Sequence, residues 1–173
     1  PLNGEEGIKW LTRAAAAPSG IAAGKAAYLL GAFYENGNFV QPDLSTAVQY
    51  FMISAQRGYM PGIFAIATSY LSGKGVEKST SRAIDLLTYI TAAAGAENED
   101  IIARSAFLLG KIYCNGIEVE ADGEKGVNWL LLAANKGDTD APYELGRILE
   151  SQGTTEDDFA QAREWYERAA KGG

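Results

Sequence analysis

Residues 29–37 read "LLGAFYENG", and residues 108–116 read "LLGKIYCNG". Each is an apolar helical phrase that stops at Asn-Gly, and together they are two copies of one phrase. The same position, the glycine after Leu-Leu, is Gly31, then Ala67 in "FAIATSY" (64–70), Gly110, and Gly146 in "YELGRIL" (143–149). These four stand 36, 43 and 36 residues apart. Three residues before them come Tyr28, Phe64, Phe107 and Tyr143, aromatic every time, and three after come Tyr34, Tyr70, Tyr113 and Leu149. A fixed period of this length changes the meaning of every residue in it, because each copy becomes one structural unit of an array.

A second phrase interleaves with the first. It begins at Ala47 ("AVQYFMISAQRG"), Ala83 ("AIDLLTYITAAAG"), Gly126 ("GVNWLLLAANKG") and Ala162 ("AREWYERAAKGG"), again 36, 43 and 36 residues apart. A fifth copy, "GIKWLTRAAAAPSG" from Gly7, has no first phrase before it. The seven additional residues fall between Ala83 and Gly110, around "AAAGAENED". Both phrases have the helical period: Ala27, Leu30, Gly31 and Tyr34 share one stripe, as do Trp129, Leu132, Ala133 and Lys136.

Turn signals separate the phrases at Asn36-Gly37, Gly73-Lys74-Gly75, Asn115-Gly116 and Gly153. Four residues before each second phrase stands Asp43, Ser79, Asp122 or Asp158, whose short polar side chains predict N-caps. Pro61 and Pro142 stand near first-phrase starts, where a missing N–H costs little. No alternating Val/Thr-rich strand is present. The expectation is therefore an all-α chain of nine helices. A lone helix covers 5–17, and four antiparallel pairs follow over 21–58, 61–95, 99–137 and 139–173. One pair cannot bury its own apolar stripe, but stacked pairs can, as a right-handed α-α superhelix or solenoid forming a single domain.

Composition narrows the function. The 15 basic and 22 acidic residues give a net charge of −7, and with no basic cluster to offset it, the electrostatics disfavour nucleic acid and none is expected as a partner. There is no histidine and one cysteine, Cys114, so the usual zinc and copper sites and the commonest general base are missing. No apolar run reaches the ~18 residues of a membrane span, so no direct insertion is expected. The first twenty residues carry no secretory-signal pattern and leave the compartment open.

The units "AAYLLGAFYENG…DLSTAVQYFMISAQRG" and "AFLLGKIYCNGIEVEADGEKGVNWLLLAANKGDTDAPYELG" resemble Sel-one-like repeats (SLR), a branch of the tetratricopeptide-like helical repeats. The third unit matches most fully, through Phe107, Leu109, Gly110, Tyr113, Gly116, Asp122, Trp129, Ala133, Ala134 and Gly137. The second departs at Ala67, Ser79 and Leu86, and the fourth at Leu149. The resemblance covers about residues 7 to 173. It implies an adaptor or scaffold, a class that includes degradation complexes of the endoplasmic reticulum, cell-wall and polysaccharide-export assemblies, virulence factors and toxin-immunity proteins. Fold alone does not choose among these.

The signature positions are spacing and packing. The face carrying the positions at −3, +1 and +4 from the central small residue is separate from the packing stripe. In related tetratricopeptide units it lines a concave groove for a partner. Here the expected partner-binding residues on it are Tyr28, Glu35, Phe64, Leu71, Phe107, Lys111, Tyr143, Arg147 and Glu150, with the arginine and tyrosines of hot-spot type. The competing reading packs the four aromatics against the neighbouring repeat. Cys114 on the same face has no histidine or cationic motif beside it and reads as an inert small residue. "SGKGV" (72–76) lacks the spacing and the strand of a phosphate loop. The acidic runs "ENED" (97–100) and "TEDD" (155–158) lack calcium-loop spacing and suit helix N-termini.

These readings point to a non-catalytic scaffold that binds another protein, with no cofactor and no metal. The alternative is a cell-wall-directed hydrolase or a small-ligand-binding repeat protein, although the paired cysteines of such relatives are missing. A third expectation is a segment of a longer array, favoured by the unpaired leading helix and the repeat boundary at "AAKGG".

Overall fold

One backbone hydrogen bond recurs in three of the four repeat turns. In the computed structural model, which describes residues 4–93 and 98–172, Tyr34 O accepts the Asp43 N–H, Tyr70 O the Ser79 N–H and Tyr113 O the Asp122 N–H, each at 2.9 Å. The chain between these partners turns through two left-handed residues, Gly37 and Phe39, Gly73 and Gly75, or Gly116 and Glu118. Gly75 has no alternative, because a Cβ there would meet the Leu44 carbonyl. Phe39 and Glu118 hold the same conformation with side chains attached, a strain of about 1 kcal/mol each.

The described residues form nine helices: α1 (Gly4–Ala15), α2 (Ile21–Asn36), α3 (Leu44–Gln56), α4 (Met60–Ser72), α5 (Thr80–Thr91), α6 (Glu99–Asn115), α7 (Gly123–Asn135), α8 (Ala141–Gln152) and α9 (Glu156–Gly172). No strand occurs among the described residues, and the architecture is an all-α repeat solenoid. Pro61 and Pro142 lie in the first two positions of α4 and α8. The Asp43 carboxylate accepts the Ser45 and Thr46 N–H groups at 3.0 and 3.2 Å, and Asp122 accepts that of Lys125 at 2.9 Å. Ser79 makes the longer equivalent contact to Arg82 N, at 3.4 Å.

The fourth turn departs from the expected cap at Asp158. There Leu149 O accepts the Gly153 N–H at 2.7 Å, and Gly153 is extended rather than left-handed. As a result α9 starts at Glu156, and Asp158 lies inside its first turn. The Thr155 hydroxyl accepts the Asp158 N–H, while the Asp158 carboxylate accepts the N–H groups of Thr154 and Thr155. That reciprocal pair is a capping box shifted upstream of the expected position.

The additional residues of the 43-residue interval go partly into a helix. α4 starts seven residues before Ala67, whereas α6 starts eleven before Gly110. Residues 94–97 of "AAAGAENED" lie outside the described residues.

The chain divides into two compact units, Pro1–Leu86 and Leu87–Gly173. In the first, α3 packs between α2 and α4: the buried Ser54 hydroxyl donates to Gly24 O at 2.7 Å, and a Cβ on Gly62 would meet the same hydroxyl. In the second, α7 packs between α6 and α8, and α8 against α9. Small residues at the repeat centres permit these approaches. A Cβ on Gly31 would stand 2.5 Å from the Phe51 ring, and one on Gly110 would stand 2.6 Å from Leu130 Cγ. Ala27, Leu30, Leu109 and Ala133 on the predicted stripes are fully buried.

Candidate functional site

Of the nine residues expected to meet a partner, four lie in the first unit, and packing holds most of them. Tyr28 on α2 is half-buried with its ring 5.8 Å from Phe51 and 5.7 Å from Tyr59, edge-on to the latter. Leu71 packs on the core formed by Val48, Phe51, Ile66 and Tyr70. Phe64 on α4 is half-buried, and only Glu35, in the last turn of α2, is exposed.

The other five converge in the second unit, on α6 and α8. Phe107 is half-buried against the core of Ala106, Leu130 and Leu145. One helical turn on, the Lys111 ammonium lies 5.6 Å from the Phe107 ring centre and 3.5 Å from Glu144 Oε1, bridging α6 to α8. Arg147 reaches the other oxygen of the same carboxylate, donating from Nε at 2.9 Å and Nη2 at 2.8 Å. Tyr143 is 54% exposed, with its ring 5.7 Å from Tyr166 of α9. The Tyr166 hydroxyl donates to Glu150 Oε2 at 2.7 Å.

Two residues that organise this cluster were not among those expected. Glu144 holds both cations, and Tyr166 ties Tyr143 to Glu150. Glu144 was legible only as the i,i+3 partner of Arg147. Tyr166 occupies a second-helix position filled by Phe51 and Leu130 in other repeats, and its ring also packs under Gly146.

The electrostatics follow from the contacts. The Glu144 side chain is only 16% exposed. Burial alone would raise its carboxyl, but the hydrogen bond and charge of Arg147, followed by the charge of Lys111, hold it below the ordinary carboxylate value. Glu144 in turn raises Arg147. The Tyr166 phenol is pushed up to about 12, chiefly by its hydrogen bond to Glu150. Burial, and then the Glu144 charge, push the Cys114 thiol up, so it carries little thiolate at neutral pH.

The result is a hydrogen-bonded polar patch flanked by two aromatic rings. It can present oriented hydrogen-bond donors, acceptors and ring faces to a surface laid across it. Among the described residues no group of three or more Cys, Asp and Glu side chains could hold a metal ion, and no helix is long and apolar enough to cross a membrane.

The repeat phrases match a family model. The Sel1 repeat model matches residues 1–19, 24–59, 61–89, 103–138 and 139–173. The chain is 31% identical over 95% of its length to chitin synthase regulator SKT5 of Saccharomyces cerevisiae, and 28% identical over 99% to the protein of that name in Malassezia restricta. It is 30% identical over 73% to chitin synthase regulatory factor 3 of Schizosaccharomyces pombe. It spans 23%, 12% and 13% of those proteins' lengths. Among solved structures, a Sel1 repeat protein from Oxalobacter formigenes superposes with a TM-score of 0.76 at 21% identity, covering 96% of this chain and 63% of that one. A protective antigen of uropathogenic Escherichia coli with an SLR fold gives 0.77 at 23% identity, covering 96% of this chain and 33% of that one. Both are likenesses of fold.

Proposed function

We propose that this chain, which belongs to the Sel1 repeat family, is a non-catalytic adaptor whose partner is a polysaccharide synthase of the chitin synthase class. The observation carrying this reading is 31% identity, sustained over 95% of the chain, to a protein named as a chitin synthase regulator. The fungal relatives favour this partner over the bacterial assembly, virulence and toxin-immunity roles that the repeat type also allows. Residues devoted to packing across all four repeats, with no histidine and a protonated Cys114, favour binding over catalysis.

The partner docks on the first-helix face of the second unit, at Phe107, Lys111, Tyr143, Arg147 and Glu150. Tyr143 and Arg147 are of the residue types that carry most interface energy. Their fixed contacts to Tyr166 and Glu144 lower the ordering entropy lost on binding. In the first unit only Glu35 of the expected residues is free enough of the core to add a contact.

The test is binding of a detergent-solubilised fungal chitin synthase to the immobilised chain. The wild type is expected to bind saturably. A Lys111→Glu/Tyr143→Ala/Arg147→Glu variant that melts like wild type is expected to bind at least about thirtyfold more weakly, one hot spot's worth. Equal binding by the variant would remove the site, and no saturable binding by either would remove the synthase as partner.

A further inference from the structure

Three of the four complete repeats carry an aromatic ring at the fourth position of the second phrase, and one does not. The residues there are Tyr50, Leu86, Trp129 and Trp165. Tyr50 stacks on Tyr34 of the preceding first helix, with ring centres 5.6 Å apart and planes 12° from parallel. Trp165 packs, together with Leu131, on the core that holds Leu145. In the first unit the corresponding place has Met52 for Leu131, Ile66 for Leu145 and Leu86 for Trp165. An isobutyl group covers less of that floor than an indole does, and a hollow of about 300 Å³ stands there, lined by Met52, Ile66, Tyr70, Arg82, Asp85 and Leu86. Ile66 and Tyr70 are buried, Met52 and Leu86 half-buried, and Arg82 and Asp85 exposed, so the floor is apolar and the rim charged. The Arg82 guanidinium lies 5.5 Å from the Tyr70 ring centre, with Nη1 3.5 Å from the Tyr70 hydroxyl. The equivalent Lys125 of α7 lies 3.9 Å from the Tyr113 ring centre. A cation beside the first-helix tyrosine is thus shared with the third repeat, and what sets the second apart is the absent ring.

We infer that this hollow is a socket for the indole of a tryptophan presented by a partner protein. The repeats of this chain show which shape fits, since Trp165 takes up the equivalent space between α7 and α9. The guanidinium beside the opening can lie over the face of an entering ring, and indole is the ring that attracts a cation best. The Asp85 carboxylate at the rim can accept the indole N–H, which a phenylalanine lacks. A leucine would gain neither contact. The hollow stands at the lower end of the size range of small-molecule sites, which enclose most of their ligand, and its rim is exposed. It therefore suits one side chain whose backbone stays outside. Tryptophan is also among the residue types that anchor interfaces. The socket shares no residue with the patch on α6 and α8 and does not rest on the synthase reading.

The probe is N-acetyl-tryptophanamide, titrated into the whole chain labelled with ¹³C at the methionine methyls. The chain has two methionines, Met52 in the hollow and Met60 at the start of α4. The expected result is a saturable ring-current shift of the Met52 methyl with Met60 in place, and weaker binding of N-acetyl-phenylalaninamide and N-acetyl-leucinamide. Leu86→Trp, which installs the residue of α7 and α9, is expected to melt at or above the wild-type temperature and to abolish the shift. Arg82→Gln, the residue of α9 at that place, is expected to weaken binding about two- to fivefold, the worth of an exposed cation–π contact. No saturable shift at Met52, equal binding of the leucine derivative, or binding unchanged in both variants would overturn the inference. So would free indole binding at least about tenfold more tightly than the blocked amino acid, since the occupant would then be a small molecule.

Discussion

Tyr28 and Tyr143 hold the same place in their repeats, three residues before the central glycine, yet one is framework and the other is surface. Tyr28 is closed between Phe51 on α3 and Tyr59 at the start of α4. Tyr143 touches Tyr166 on one side and leaves 54% of its surface to solvent. A repeat position sets where a side chain starts, and the neighbours set what it does. In the first unit the position is spent on an aromatic stack. In the second, α8 offers Glu144 and Arg147, and the face becomes a charged lattice beside the exposed ring of Tyr143.

The largest expected effect fixes the scale of this comparison. Gly110→Leu drives a side chain into Leu130 and the Gly126 carbonyl, and is expected to cost about 3 kcal/mol. That is a fall of roughly 6–12 °C in Tm, measurable by circular dichroism. Tyr28→Ala should follow at about 2 kcal/mol for a half-buried aromatic, whereas Tyr143→Ala should stay within about 0.5 kcal/mol. Equal losses in the two tyrosine variants would erase the distinction between the units.

A smaller effect probes the lattice itself. Glu144→Gln is expected to cost about 1 kcal/mol near neutral pH, the scale of one charge-assisted hydrogen bond. The folded carboxyl lies below its ordinary value of 4.5, so its contribution is fully present above that pH and is lost as the pH falls through the lower folded value. Melts should therefore show a wild-type advantage that is constant from pH 7 to 5 and closes in stronger acid. The smallest effect is spectroscopic. In the difference between wild type and Tyr166→Phe, the phenol should ionise near pH 12 rather than at the ordinary 10.0. Glu150→Gln should return it toward 10. Because the folded value is raised, the Tyr166–Glu150 contact is intact below pH 10 and is lost only as the pH rises toward 12.

The repeat was legible because its constraints are local and recur. Leu-Gly-x-x-Tyr, the turn glycines and the Asp caps each answer a local packing or backbone need, and together they predict nine helices without reference to distant contacts. Asp158 misled because a cap is recognised by its side chain, while the preceding turn decides where the helix begins. Here that turn closes on Gly153 and gives the cap to Thr155. Phe39 and Glu118 could be read as left-handed only by aligning them with Gly75, since neither residue type announces that conformation. The candidate site was half legible. The face and the five residues on it followed from helical angle, but Glu144 and Tyr166 act through pairings between helices separated by 33 and 16 positions in the chain. The aromatic period could not separate Tyr28 from Tyr143, because burial there depends on α3, α4 and α9 rather than on the repeat's own first helix.

The most direct test of the central claim is site-specific photo-crosslinking to a purified, detergent-solubilised fungal chitin synthase. A photoreactive phenylalanine would replace Tyr143 in one sample and Tyr89 in another. Tyr89 is similarly exposed, at 59%, but lies on the second helix α5. The account predicts a crosslinked adduct from position 143 and none from position 89. An adduct from position 89 alone, equal adducts from both, or none from either would contradict it.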